Sequence, residues 1–367
     1  MMKSAFRTSF ILTLLLIIDL ACSAQSDKRS FIIGTKMHTG MSLPFYKALA
    51  YLSREDLLAF DLSLSFPPDG TSFWDKLYHY PRNGIGFSGW SLGNNEVFGS
   101  AYVLYHFISF PIKKTEKFSF NYQISYGGAY LSKKFDIYDN PINRAIGSHA
   151  NIFLRLGVDS RIRIFPHSEL VIEAGAFHLS NGKTRSPNYG INAGSVSIGF
   201  NHLFNNLNLI KPDPEIPAMG KRNVQSVVFS AGAKAYDNLL NNRYLTSSLT
   251  YNFERLLNHR RKIGLGADLF YDASIEEGLA VEEGITEPEF SNLVRLGLHA
   301  SYFIRYKQLM MGVQLGHYLY SRFTVLTPLY SRISVQYLVT KNIFGSVSIK
   351  SHFGKADCME WGIGYCW

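Results

Sequence analysis

The strongest constraint on this chain is a side-chain alternation of period two that recurs from segment to segment with one face apolar. In the stretch 290–305, Val294, Leu296, Leu298, Ala300, Tyr302 and Ile304 fall on one face, while Ser291, Arg295, His299 and Ser301 fall on the other. The same pattern runs through 331–339, where Ile333, Val335, Tyr337 and Val339 oppose Arg332, Ser334 and Gln336, and through 343–353. Successive residues of a strand point to opposite faces, so this periodicity predicts strands with one buried and one contrasting surface. The final segment places Trp361, Ile363, Tyr365 and Trp367 on one face against Glu360, Gly362, Gly364 and Cys366.

The first residues have a different character. Lys3 and Arg7 precede an apolar run from Phe10 to Leu20, followed by small residues up to Ala24. This predicts a secretory signal peptide over 1–24. A lipidated Cys22 is disfavoured because Asp19 stands where a lipobox carries an aliphatic residue. Beyond this leader no stretch approaches the roughly 20 apolar residues of a spanning helix, so a membrane-embedded chain of this kind has to cross with strands. Aromatic residues make up 14% of the chain and charged residues 18%, and there are 30 glycines, a balance suited to a wall with interfacial aromatic girdles. The expected fold is therefore all-β: an antiparallel transmembrane β-barrel of about 12–16 strands over 25–367, with no internal boundary. Localisation in the outer membrane of a Gram-negative cell follows. The terminal aromatic strand is the expected contact with the barrel assembly machinery.

If the last strand runs toward the periplasm, short links should alternate with long external ones. Lys113 to Glu116, Pro166-His167, Tyr306 to Gln308 and Lys341-Asn342 become periplasmic turns, and Ser132 to Ile146 and Ala273 to Glu289 become external loops. The Pro-rich stretch Lys211 to Gly220 breaks the rule. A helical segment is expected within Pro44 to Asp56. The chain carries +9, one unit less once Lys3, Arg7 and Asp19 leave with the leader, which suits an anionic lipid surface. Export and the lack of a nucleic-acid motif exclude a nucleic-acid partner.

Cys358 and Cys366 lie about 26 Å apart along one strand and cannot bridge within it; both are expected as lumen-facing thiols. His149, His299, His317 and His352 lack metal-ligand spacing, so no metal is assigned. The acidic loop with Glu276, Glu277, Glu282, Glu283, Glu287 and Glu289 reads as solvated, with divalent-cation binding the alternative.

One hairpin, 168–204, concentrates chemistry. Its first strand presents Leu170, Ile172, Ala174, Ala176 and His178 on an outward face, followed by Ser180 and Asn181 and the loop Gly182-Lys183-Thr184-Arg185-Ser186-Pro187-Asn188-Tyr189-Gly190. The returning strand carries Asn192, Gly194, Val196, Ile198 and Phe200 on its outward face. His178 and Ser180 share a face at i and i+2, so the imidazole can serve the hydroxyl as a base. Asn192 returns close by, where its amide oxygen can accept the proton on the far imidazole nitrogen. The bland alternative is an interfacial histidine beside an ordinary Pro-Asn-x-Gly turn.

His178-Leu179-Ser180-Asn181 followed by Pro187-Asn188, Gly190 and Ile191 resembles the active-site hairpin of lipid A 3-O-deacylases, over about fifteen residues. Tyr80-Pro81, Gly84 to Gly86, Pro111 and Gly147-Ser148 with Asn151 resemble the longer acyloxyacyl hydrolases. The resemblance implies a cofactor-independent outer-membrane serine esterase that acts on lipopolysaccharide. It assigns Ser180 as nucleophile, His178 as base and Asn192 as orienting residue. Asn181 and Gly182 are then oxyanion donors, and Lys183 and Arg185 contacts to lipid A phosphates. Asn192 stands where the family carries Glu. A change from acid to amide at that place costs Ser-His-Asp proteases about 10⁴ in turnover, although cysteine proteases use Asn there. A non-catalytic channel or anchor, and a phospholipase or acyltransferase, are the alternative functions.

Overall fold

The computed structural model describes residues 30–44, 47–53, 55–205, 213–236, 242–323 and 327–367. The signal-peptide segment 1–24 lies outside them. Sixteen strands run through the described residues, the upper end of the expected range, and they close as two barrels of eight where the sequence suggested one.

The first barrel comprises β1 (Phe31–Ser42), β2 (Leu57–Phe66), β3 (Arg82–Ser91), β4 (Ser100–Lys114), β5 (Phe118–Leu131), β6 (Ala150–Phe165), β7 (Ser168–Ser180) and β8 (Ile191–Phe204). It is shut by β1 pairing antiparallel to β8, with Phe31 opposite Phe204 and Ser42 opposite Ala193. The second comprises β9 (Asn223–Ala235), β10 (Arg243–Asn258), β11 (Arg261–Asp272), β12 (Val294–Tyr306), β13 (Leu309–Ser321), β14 (Leu329–Leu338), β15 (Ile343–His352) and β16 (Lys355–Cys366). It is shut by β16 pairing with β9, Trp361 opposite Ala231 and Cys366 opposite Ser226. The physical reason for two small barrels is filling: an eight-stranded lumen is just wide enough for its own side chains. The Pro-rich stretch that broke the turn rule lies between the two barrels in the chain, and its described part, 213–220, has no regular structure.

Each barrel is polar inside and apolar outside. On β6 and β7 the outward residues Leu156, Val158 and Ile172 are exposed, whereas the inward Arg155 and Glu173 are buried and paired at 2.7 Å. Glu173 also receives Lys36 at 2.6 Å, and Tyr105 donates to Asp61 at 2.5 Å. In the second barrel Arg332 is held between Asp268 at 3.0 Å and Glu360 at 2.8 Å. His299 also meets Asp268, at 2.6 Å. Charges that are removed from water need such complete pairing.

Toward the end of the first barrel that carries β7–β8 loop, the lumen becomes apolar. Trp90, Phe153, Phe177, Leu179 and Ile191 pack there with Val97 and Phe98 from the β3–β4 loop and with Ala145 and Ile146 from the β5–β6 loop. The helix expected within 44–56 is only one turn, α1 (Lys47–Ala50). A second short helix, α2 (Phe73–Leu77), is capped by Ser72. The alternation from 290 starts later than the sequence suggested, because Phe290–Leu293 forms a helical turn, α4, after the helix α3 (Ser274–Glu283). Cys358 and Cys366 are free thiols, the first buried.

Candidate active site

The geometry begins with strand register. β7 and β8 pair so that His178 lies directly opposite Asn192, and Leu179 opposite Ile191 closes the ladder. Both His178 and Asn192 have outward parity, flanked by the exposed Val196 and Ile198 on β8. Opposed residues on one face of a sheet have adjacent β-carbons, close enough for a short side-chain bond. Accordingly His178 Nδ1 lies 2.7 Å from Asn192 Oδ1. An amide oxygen only accepts, so this bond places the proton on Nδ1 and leaves the Nε2 lone pair as the basic site.

Ser180 ends β7 and pairs with Ile152 of β6. It shares the parity of His178, yet its side chain is only 3% exposed. Its hydroxyl makes no hydrogen bond among the described residues, so Asn192 and His178 are brought together and the His178 to Ser180 bond is not formed here. Nucleophile–base bonds commonly tighten only when the substrate is seated.

The β7–β8 loop is tightly built. Thr184 N donates to Asn181 O at 3.3 Å, and the central residues Gly182 and Lys183 have φ of +61° and +65°. Two successive positive φ values define a type I′ turn, which favours Gly at one place and tolerates Lys at the other at some steric cost. Asn181 is buried and committed: its N–H donates to Asn188 Oδ1 at 3.0 Å and its side-chain amide to Arg185 O at 3.1 Å. Gly182 N–H makes no hydrogen bond among the described residues, and is the available donor of the two proposed from sequence. Lys183 lines a cavity at one end of the second barrel, whereas the Arg185 side chain is exposed outside it. The described residues contain no group of three His, Cys, Asp or Glu able to hold a metal.

One contribution escaped the sequence. Gly190 N donates to Ala145 O at 2.9 Å and Tyr189 N to Arg144 O at 3.4 Å, so the β5–β6 loop holds the far side of the hairpin. Its signal was present as the apolar pair Ala145-Ile146 inside a polar loop; both residues are fully buried.

Residues 58–201, most of the first barrel, match the family described as lipid A 3-O-deacylase (PagL). Residues 223–367, the whole second barrel, match the acyloxyacyl hydrolase C-terminal domain. No curated protein matches the chain. Among solved structures, Neisserial surface protein A covers 47% of this chain and 96% of its own, at 11% identity and a TM-score of 0.30. A mutant of Rh. blastica porin covers 92% of this chain and 100% of its own, at 7% identity and a TM-score of 0.22. With both barrels matched, the chain belongs to the lipid A 3-O-deacylase and acyloxyacyl hydrolase families, and is an ester hydrolase of the outer membrane.

Proposed function

We propose that this protein removes ester-linked acyl chains from lipid A of lipopolysaccharide, with Ser180 as nucleophile. The observation that carries the reading is the 2.7 Å bond from His178 to Asn192, on the outward face of a barrel whose family acts on esters. In this mechanism His178 Nε2 takes the Ser180 proton as the hydroxyl attacks the ester carbonyl. The imidazole then protonates the departing sugar oxygen. Water, activated by the same nitrogen, releases the fatty acid from the acyl-enzyme. Asn192 holds the imidazole in its productive tautomer, and the Gly182 N–H is a donor for the developing oxyanion. Lys183 and Arg185 contact the anionic headgroup. No cofactor takes part.

An outward site suits a substrate whose acyl chains lie in the bilayer. The channel alternative fits less well, because both lumens are occupied by paired charges and, in the first barrel, by an apolar cluster. The C-terminal strand remains the proposed contact with the barrel assembly machinery.

The test is mass spectrometry of lipid A from cells expressing the wild type, Ser180→Ala or Asn192→Ala. The wild type should remove an acyl mass, Ser180→Ala should remove none, and Asn192→Ala should slow the reaction about 10²-fold. A Ser180→Ala protein that deacylates like the wild type would sink the assignment. Lyso-phospholipid without any change in lipid A would point to a phospholipase, and acyl transfer without free fatty acid to an acyltransferase.

A further inference from the structure

The end of the second barrel that carries the short turns concentrates positive charge on its outer wall. Lys221 and Arg222 lead into β9, Arg255 lies near the end of β10, Arg261 opens β11 and Lys341 stands in the β14–β15 turn, all five exposed. Strand register joins them into one arc. Arg255 pairs with Asn223 of β9 on one side and Ile263 of β11 on the other, and Arg261 pairs with Ile304 of β12. Toward Lys341 the arc is continued by Gln225 N, which donates to Trp367 O at 3.2 Å, and by Asn342 Nδ2, which donates to Cys366 O at 2.7 Å.

Little negative charge offsets this arc. The chain carries no Asp or Glu between Phe290 and Ala356. Among the described residues at this end of the barrel, the one side-chain carboxylate is that of Glu254, which is buried and held by Lys262 at 2.6 Å. Setting the carboxylate of Trp367 against one of the five cations still leaves a positive excess. None of the five has an ion pair or a side-chain hydrogen bond to another described residue. The glutamates of α3 and the segment after it, Glu276 to Glu289, follow β11 at the opposite end. Charge is therefore sorted along the barrel axis.

The neighbours of these cations on the wall are apolar and exposed: Leu257, Ile263, Ile304 and Ile343 are aliphatic, Tyr365 and Trp367 aromatic. An outward apolar belt bounded by aromatic rings and then by cations meets lipid tails, interface and headgroups in turn. The short turns of outer-membrane barrels face the periplasm, where the membrane presents phospholipid in place of lipopolysaccharide. Guanidinium groups bind phosphate through paired N–H donors, and each cation near an anionic surface adds an attraction that a zwitterionic headgroup does not offer. We propose that this arc on the periplasmic rim of the second barrel is a binding site for anionic phospholipid of the phosphatidylglycerol class. The proposal does not depend on the esterase reading.

The test reconstitutes the full-length protein in phosphatidylethanolamine vesicles and follows quenching of tryptophan fluorescence by brominated phosphatidylglycerol or brominated phosphatidylethanolamine. Trp361 and Trp367 on the outer face of β16 are exposed, whereas Trp74 and Trp90 are buried, so quenching reports lipid on this wall. Phosphatidylglycerol should be preferred about fivefold, the scale of one cation at an anionic surface, and the preference should shrink in about 1 M salt. The triple variant Arg222→Gln, Arg255→Gln, Lys341→Gln should reduce it to within about twofold, while Arg222→Lys with Arg255→Lys should keep it. Equal quenching by both lipids in the wild type overturns the site, as does an undiminished preference in the triple variant with heat-modifiability retained. Soluble glycerol phosphate that abolishes the preference assigns the cations to a free phosphate and overturns the lipid as their ligand.

Discussion

The α-hydrogen of Gly190 faces the imidazole of His178: a β-carbon there would lie 2.6 Å from Cε1 and 3.4 Å from Nδ1. With φ at +76°, the position is also one that L side chains rarely adopt. Gly190→Ala therefore has two costs, about 1–2 kcal/mol of backbone strain and displacement of the imidazole from Asn192. Its deacylation rate should fall by more than its loss of stability accounts for, measured as turnover beside the thermal midpoint of heat-modifiability. Equal losses would assign Gly190 to folding alone. The residue types of this site were legible in the sequence, because His178 and Ser180 share parity within one strand. So was the return of Asn192 beside His178, whereas the direct cross-strand register of the two was not, since register across a ten-residue loop depends on how the loop closes. Nor was the commitment of both Asn181 donor groups, which narrows the oxyanion assignment to Gly182.

At the scale of one strand, β6 shows how alternation builds the wall. Arg155 points inward, 5% exposed and bonded to Glu173, while the next residue, Leu156, is 65% exposed on the outer face. Leu156→Arg should destabilise the barrel by about 2–4 kcal/mol in a bilayer, as read from denaturant unfolding in lipid vesicles. The same substitution should be nearly silent if that face is in water. Strand existence was legible because its period-two signal is local. Strand ends were less so: Phe290 and Ser291 keep the alternation of β12 but fold into the helical turn α4. Exposed loop residues can satisfy either geometry, and the packing of α3 beside them decides.

For the whole molecule the informative element is the β7–β8 loop. Residues 181–188 group with the second barrel, where a β-carbon on Gly182 would come 2.7 Å from Met359 Cβ and Lys183 bonds to Ala235. The first barrel nonetheless completes its own closure through β1 and β8. A chain ending at Ile216 should insert and show heat-modifiable mobility, but deacylate at least about tenfold more slowly because the loop loses these anchors. Full activity of the shortened chain would mean that the loop holds itself.

The sequence by itself determined that this is an exported strand protein with an apolar exterior, and that one hairpin carries a histidine, a serine and an amide on its outer face. Those are consequences of periods and spacings within a few residues of one another. Only the tertiary structure decided that sixteen strands form two barrels, that His178 and Asn192 stand directly opposite in register, and that residues 181–188 belong with the second barrel. Closure pairs β1 with β8 and β9 with β16, strands far apart in the chain whose alternation is indistinguishable from that of their neighbours. Which edges meet is set by how well the enclosed side chains fill the lumen, a property of all eight strands together.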